Sequence, residues 1–307
     1  MGNIDLHSHS TSSDGTDSPS ELVQLAIKNG LSALALTDHD NTNGIDEALS
    51  EAKRYNTCLK EGLPYPDSEN NLINESSEEF ELIPGIEIST EYEGKEVHIV
   101  GLYIDYKNKA LNDRLAIECK KRTDAHKEMC RRFQEHGINV VYEDLIHTYP
   151  STVITRAHFA DYLVKMGACG DRNEVFARYI GDGKPMYVYR SKMPPKEAIE
   201  LIRSVGGFAV FAHPILCRLS DYRLEAFIQY MKEAGLGGIE AYYSTYEASD
   251  TRLIERLAKK YDLALSGGSD HHGRNKPNIT LGRGIKNNLA ISHDILDVIK
   301  ERRAAAH

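Results

Sequence analysis

Near its start the chain carries Asp5-Leu6-His7-Ser8-His9, with Asp14 shortly after. Ile4 and Leu6 alternate with polar neighbours, the pattern of a short half-buried strand. On a strand, His7 and His9 project from one face, and two imidazoles on one face are a metal-ligand pair awaiting partners. Similar groups recur downstream as Asp38-His39-Asp40, Glu87, His98, His213, Glu240, Asp270 and His272. This set exceeds what one ion uses, since zinc takes three or four protein ligands. Two or three ions close together is the economical reading, and such sites suit in-line displacement at phosphorus. Imidazole with carboxylate admits Zn2+, Mn2+ or Fe2+.

These residues need elements that bring them together. Strands are predicted near 3–8, 33–37, 82–88, 97–102, 208–212, 238–242 and 263–267, and each of the groups lies at, just beyond or late in one of them. Helical patterns follow the strands. Ser18-Pro19-Ser20-Glu21 is a capping box with Pro at the first helical position. Further helices are predicted over 44–55, 195–205, up to Ala234, 250–261 and 291–302. Strict alternation with short, nearly continuous apolar strands is the signature of parallel strands covered on both faces. The expected class is α/β, as a closed or nearly closed barrel whose strand ends meet at one mouth; a doubly wound open sheet is the alternative. The barrel would comprise 1–105 and 191–307. Within it, the polar stretch 56–80 predicts an exposed loop. Residues 106–190 read as an inserted helical subdomain covering the mouth, with helices over 112–134, 155–167 and 172–179. The remaining His126, His136, His147, His293 and His307 fall on helical, loop or terminal segments and read as solvated.

Over 307 residues, 41% hydrophobic and 27% charged content is ordinary for a soluble globular protein. No apolar run reaches bilayer-spanning length and no signal pattern opens the chain, so a cytoplasmic location without membrane contact is expected. Five scattered cysteines fit reduced thiols rather than a disulfide framework. A net charge of −9 argues against an extended nucleic-acid surface but leaves room for a small phosphorylated substrate. A monomer or small homo-oligomer is expected.

In order along nearly the whole chain, His7-x-His9 with Asp14-Gly15, Thr37-Asp38-His39-Asp40, Gly85-Ile86-Glu87, His98-Ile99-Val100-Gly101, Ala212-His213-Pro214 and Gly267-Gly268-Ser269-Asp270-x-His272 resemble the successive motifs of the PHP (polymerase and histidinol phosphatase) family. The chain is most similar to the branch of nucleoside 3′,5′-bisphosphate phosphatases, some of which also trim RNA from the 5′ end. Thr155-Arg156-x-His158-Phe159-Ala160 and Gly183-Lys184-Pro185 carry that part of the likeness. The resemblance implies a distorted seven-stranded (β/α)7 barrel and a metal-dependent phosphoesterase. It would remove the 3′-phosphate of a nucleoside 3′,5′-bisphosphate by attack of a metal-bound hydroxide. It puts His7, His9, Glu87 and Asp270 on a first ion, Glu87 bridging to a second with His98 and His213, and Asp14, His39 and His272 on a third. Asp14 stands where some members have His, and His271 where Phe is common.

Asp38 and Asp40 flank His39, as carboxylates that orient a metal-bound imidazole do. Asp40, His39 and His213 are the candidates to protonate the leaving oxygen. Glu240 reads either as a carboxylate that orients a ligand or, in preference, as a strand-end cap. Arg156 and His158 open a helix, where a guanidinium and free backbone N–H groups favour a phosphate. Lys184 in its glycine-rich turn, and less so Arg190, are further phosphate candidates. These cations point to a small bisphosphate, and the resemblance implies that it is a nucleotide yielding an AMP-like product. The rivals are a histidinol-phosphate phosphatase, a cyclic sugar-phosphate phosphodiesterase and, from another class, a non-catalytic metal-binding regulatory domain.

Overall fold

The short apolar runs assemble into one seven-stranded sheet in a computed structural model that describes residues 3–69, 71–73, 78–149 and 153–306. The strands are β1 (Asn3–Asp5), β2 (Leu31–Leu36), β3 (Glu81–Tyr92), β4 (Lys95–Leu102), β5 (Phe208–Phe211), β6 (Gly238–Tyr243) and β7 (Ala264–Gly268), adjacent in sequence order. The segments after β7 and β1 then meet: Leu6 N donates to Gly267 O (3.1 Å), Asp270 N to His7 O (2.9 Å) and His9 N to His271 O (3.0 Å). The result is a nearly closed, distorted (β/α)7 barrel.

Ten α-helices are described: α1 (Pro19–Lys28), α2 (Ile45–Glu61), α3 (Lys109–Glu135), α4 (Tyr142–Thr148), α5 (Arg156–Lys165), α6 (Arg172–Val175), α7 (Pro195–Ser204), α8 (Asp221–Glu233), α9 (Ala248–Lys260) and α10 (His293–Ala306). Successive strand residues face opposite ways, and both faces are buried. Ile4, Ala33, Ala35, Ile83, Val100, Val210 and Ala264 gather in one cluster with Leu296 and Ile299 of α10. Leu34, Leu36, Ile86, Ile88 and Ile99 pack instead in a cluster with α1, α2, α7, α8 and α9. Residues of α3, α4, α5 and the segment after them form a third cluster around Phe133, Leu145, Phe159 and Ile180.

β4 departs from parallel pairing, running antiparallel to both β3 and β5. Tyr92 pairs with Lys95 across Glu93 and Gly94, which lie at φ 48° and 72°. Two consecutive left-handed residues make the tight hairpin that only antiparallel strands can share. The 56–80 stretch also differs from the exposed loop expected. α2 continues through Glu61 before Gly62 ends it at φ 63°. Tyr65, Ile73 and Phe80 are then buried, with the Tyr65 ring 5.0 Å from that of Tyr55. A few apolar anchors fix this polar segment; residue 70 and residues 74–77 lie outside the described residues. The short helix α4 was not anticipated. Among the described residues no helix is long and apolar enough to cross a membrane.

Candidate active site

His7 and His9 continue β1, His39 follows β2, His213 follows β5, and Asp270 and His272 follow β7. His98 lies early in β4, opposite Ser89, and reaches the same mouth because β4 is reversed. Glu87 stands in the middle. Its Oε1 is 2.9 Å from His98 Nδ1 and 3.0 Å from His213 Nε2. Its Oε2 is 3.3 Å from His7 Nε2, 3.2 Å from His9 Nε2 and 3.0 Å from His39 Nδ1. Asp270 Oδ1 lies 3.2 Å from His9 Nε2 and 3.3 Å from His272 Nδ1. Asp14 Oδ1 lies 3.2 Å from His272 Nε2 and 3.8 Å from His39 Nε2.

Among the described residues, four overlapping groups have their ligand atoms within 4.8 Å of one another: His9/Asp14/His39/His272, His7/Glu87/His213, His7/His9/Asp270 and His39/Glu87/His98. His7 Nε2, His9 Nε2, His39 Nδ1 and Asp14 Oδ1 are buried without a hydrogen-bond partner. Buried polar atoms are ordinarily paired, so imidazole and carboxylate atoms that converge unpaired fit divalent cations.

The electrostatics agree. Burial would raise the Glu87 carboxyl, but the His39, His98 and His7 imidazoles outweigh it and hold the group well below the carboxylate range. Burial would also raise Asp270, and Lys276 with His272 overturns that. Burial depresses His9 and His98, but carboxylates beside them (Asp270 and Glu87 for His9, Glu87 for His98) lift the two to about 9 and about 10. His39 goes the other way, to about 4, because burial dominates. The backbone is strained here too: Asp40, His213 and Asp270 sit at φ 50°, 31° and 55°. Such conformations cost free energy and persist where the surroundings over-determine them.

Around this cluster, Glu240 does more than cap a strand. His7 Nδ1 donates to its Oε1 (3.0 Å) and His213 N to its Oε2 (2.7 Å), which orients two candidate ligands at once. Asp38 does not reach His39; it accepts from Ser10 N (2.8 Å), Ser10 Oγ (2.7 Å) and Ser13 Oγ (2.5 Å), shaping the turn after His9. Asp40 accepts from Ser89 N (2.7 Å) and pairs with Arg122. Burial would raise its carboxyl, but Arg122 holds it below the usual range. Asp40, expected among the general acids, thus stands in an ion pair that joins α3 to the mouth.

A PHP domain model matches residues 5–115. The chain is 35% identical over 268 residues to a 5′-3′ exoribonuclease of Haemophilus influenzae, covering 87% of this chain and 89% of the relative. It is 33% identical over 273 residues to a 3′,5′-nucleoside bisphosphate phosphatase of Chromobacterium violaceum, covering 89% and 88%. The chain belongs to the PHP family. A solved structure described as an amidohydrolase from Chromobacterium violaceum, with bound sulfate and no metal, superimposes with a TM-score of 0.78 at 29% identity, over 98% of this chain and 97% of that one. This PHP chain is thus a metal-dependent hydrolase of the phosphoesterase type.

From Asp14, His39 and His98 of the PHP site, a cavity of about 260 Å³ extends under α3, the start of α5 and residues 176–192. Arg156 lines it, paired with Glu96 Oε2 (3.1 Å) and Asp182 Oδ1 (2.7 Å). His158 does not line it. Its Nδ1 accepts from Thr155 N (3.0 Å), so the ring caps α5. Lys184 is exposed and outside the lining. Those two expectations for phosphate contacts therefore give way to Arg122, His126, Arg190 and Lys192, which do line the cavity. Arg122 Nη1, Arg190 Nη1 and His126 Nδ1 are buried without hydrogen-bond partners. His126, expected to be solvated, is 5% exposed, and its imidazole is pushed well below its usual value by burial and by Arg122. His136 and His147 are exposed as expected, His293 is half-buried, and His307 lies outside the described residues.

Proposed function

We propose that this PHP chain removes a phosphate monoester from a small bisphosphorylated substrate, most specifically the 3′-phosphate of a nucleoside 3′,5′-bisphosphate. The observation that carries this is the single cavity that begins at the ligand cluster and ends among Arg122, Arg156, Arg190 and Lys192, beside Phe176 and Tyr187. One phosphoryl group fits the ligand end and a second fits the guanidinium end, where planar N–H forks match phosphate oxygens. The aromatic wall suits a base.

Two or three divalent ions (Mn2+, Fe2+ or Zn2+) would be held by His7, His9, Glu87 and Asp270, by Glu87, His98 and His213, and by Asp14, His39 and His272. Bound there, they supply Lewis acidity that acidifies a water and offsets phosphoryl charge. The chain's own residues do the rest. Glu240 keeps His7 and the His213 backbone in place. Arg156 and Arg190 orient the distal phosphate so that the scissile phosphorus faces the cluster. Of the candidates to give a proton to the departing ribose oxygen, His213 remains, because burial keeps His39 neutral. The unpaired cysteines support a reducing cytoplasmic setting.

The test is phosphate release with Mn2+ from adenosine 3′,5′-bisphosphate against histidinol phosphate and a ribose 1,2-cyclic phosphate. Release from the bisphosphate with 5′-AMP as product, and loss of the preference for bis- over monophosphate in Arg190→Ala, are expected. Turnover of either other substrate alone overturns the assignment. The exoribonuclease relative favours one extension, tested with a 5′-phosphorylated oligoribonucleotide: the same site would release 5′-terminal nucleotides, with the chain leaving through the cavity mouth.

A further inference from the structure

Asp270 uses its two oxygens differently. Oδ1 faces His9 and His272, whereas Oδ2 accepts from Tyr243 OH at 2.5 Å and from Lys276 Nζ at 2.6 Å. Tyr243 is buried at the end of β6, its ring 5.5 Å from that of His213. Lys276 belongs to a short turn that the site itself holds in place. Arg274 N donates to Thr16 Oγ1 (2.8 Å), Asn275 Nδ2 to the backbone oxygen of Asp14 (2.7 Å), and Arg172 Nη2 to Asn275 Oδ1 (2.7 Å). The ammonium is thus set beside a candidate ligand by a built turn, anchored to a second candidate ligand. Neither the family match nor the motifs assign it a task.

We infer that Lys276, with Tyr243, is a positioning residue that pins Asp270 Oδ2 and leaves only Oδ1 to a metal ion, weakening this carboxylate as a ligand. The inference rests on the metal-centre reading above. Charge-assisted hydrogen bonds are short and strong, so Oδ2 does not turn toward the cluster without breaking two of them. The fixed positive charge of Lys276 also opposes a bound cation through the shared carboxylate. A weaker ligand leaves the ion more electrophilic toward a phosphoryl oxygen. Lys276 therefore exchanges metal affinity for reactivity.

The experiment titrates Mn2+ into chelator-stripped full-length protein by calorimetry, comparing wild type with Lys276→Met and Lys276→Arg. Lys276→Met is expected to bind Mn2+ about tenfold more tightly, the direction set by removing one charge from beside the ion. Lys276→Arg, which keeps the charge, is expected to stay within about threefold of wild type. A Lys276→Met variant that melts cooperatively but binds Mn2+ equally or less tightly overturns the inference, because a merely structural lysine gives that result. Wild-type protein that binds no Mn2+ overturns the metal-centre reading itself, and this inference with it.

Discussion

Replacing Arg122 with methionine removes the cation that joins α3 to the mouth of the barrel. Arg122 is 5% exposed and its partner Asp40 is 2% exposed. Without the guanidinium, Asp40 keeps Ser89 N as a donor but loses its counter-charge while itself remaining buried. At contact distance and an effective dielectric of about 20, the attraction removed is about 5 kcal/mol. Breaking one side of a buried pair typically costs about 3–5 kcal/mol, because the remaining charge is stranded. Arg122→Met is therefore expected to lower unfolding free energy by about 3–5 kcal/mol, and adding Asp40→Asn should restore about 1–3 kcal/mol of it. The chain has no tryptophan, so urea unfolding of chelator-stripped protein is best followed by circular dichroism at 222 nm. A single-variant loss below about 1 kcal/mol, or strict additivity in the double variant, would refute the claim that this pair ties the helical segment to the site.

Three other outcomes follow from the same geometry. In chelator-stripped protein, burial keeps His39 neutral, with its value lowered to about 4; that contribution is full above the free-imidazole value of about 6.5 and is lost as pH falls below it. His9 and His98, lifted to about 9 and about 10 against burial by neighbouring carboxylates, contribute fully below about 6.5 and lose that as pH rises through their folded values. The melting temperature of the stripped protein should thus peak near neutrality and fall on both sides, and a flat alkaline side in a pH series would contradict the assignment. Gly268→Ala would put a methyl group 2.3 Å from His7 Cβ, so it should cost on the order of 1–3 kcal/mol in unfolding free energy and lower Mn2+ stoichiometry measured by elemental analysis. Lys184→Ala should leave KM for adenosine 3′,5′-bisphosphate within about twofold, since exposed substitutions of this kind change little; a larger rise would return Lys184 to the site.

Much of the site is written locally. The His7-x-His9 pair, the Thr37–Asp40 run and the Gly267–His272 run each follow a strand with a strong apolar signature, so strand ends and chemistry are read together. β4 and the tight turn over Tyr92–Lys95 that joins it to β3 were both legible from the sequence; what was not read from them is that His98, early in β4, reaches the mouth because this turn reverses the chain. The phosphate end was harder. α3 buries Leu111, Leu115, Glu118, Arg122, His126, Met129 and Phe133 along one stripe, so the charged residues occupy core positions of an amphipathic helix. The three-and-four spacing was the available signal; reading charge as solvent exposure hid it. Lys184, Arg156 and His158 looked alike as candidates because a glycine-rich turn and a helix start both suit anions. Tertiary packing then separated them, exposing the first, lining the cavity with the second and making the third a cap. Composition misled over 56–80, where a few apolar residues outweigh many polar ones once they are buried.

The seam at which Leu6, His7 and His9 bond to Gly267, Asp270 and His271 has a consequence for biosynthesis. Some of the candidate ligands follow β1 and others follow β7, far apart in the chain. At translation rates of about 5–20 residues per second, on the order of ten to fifty seconds separate the emergence of His7 from that of His272. Throughout that interval the His7 and His9 imidazoles are without Asp270, so the candidate ligand groups that use Asp270 or His272 would be complete only once β7 and the segment after it have been made.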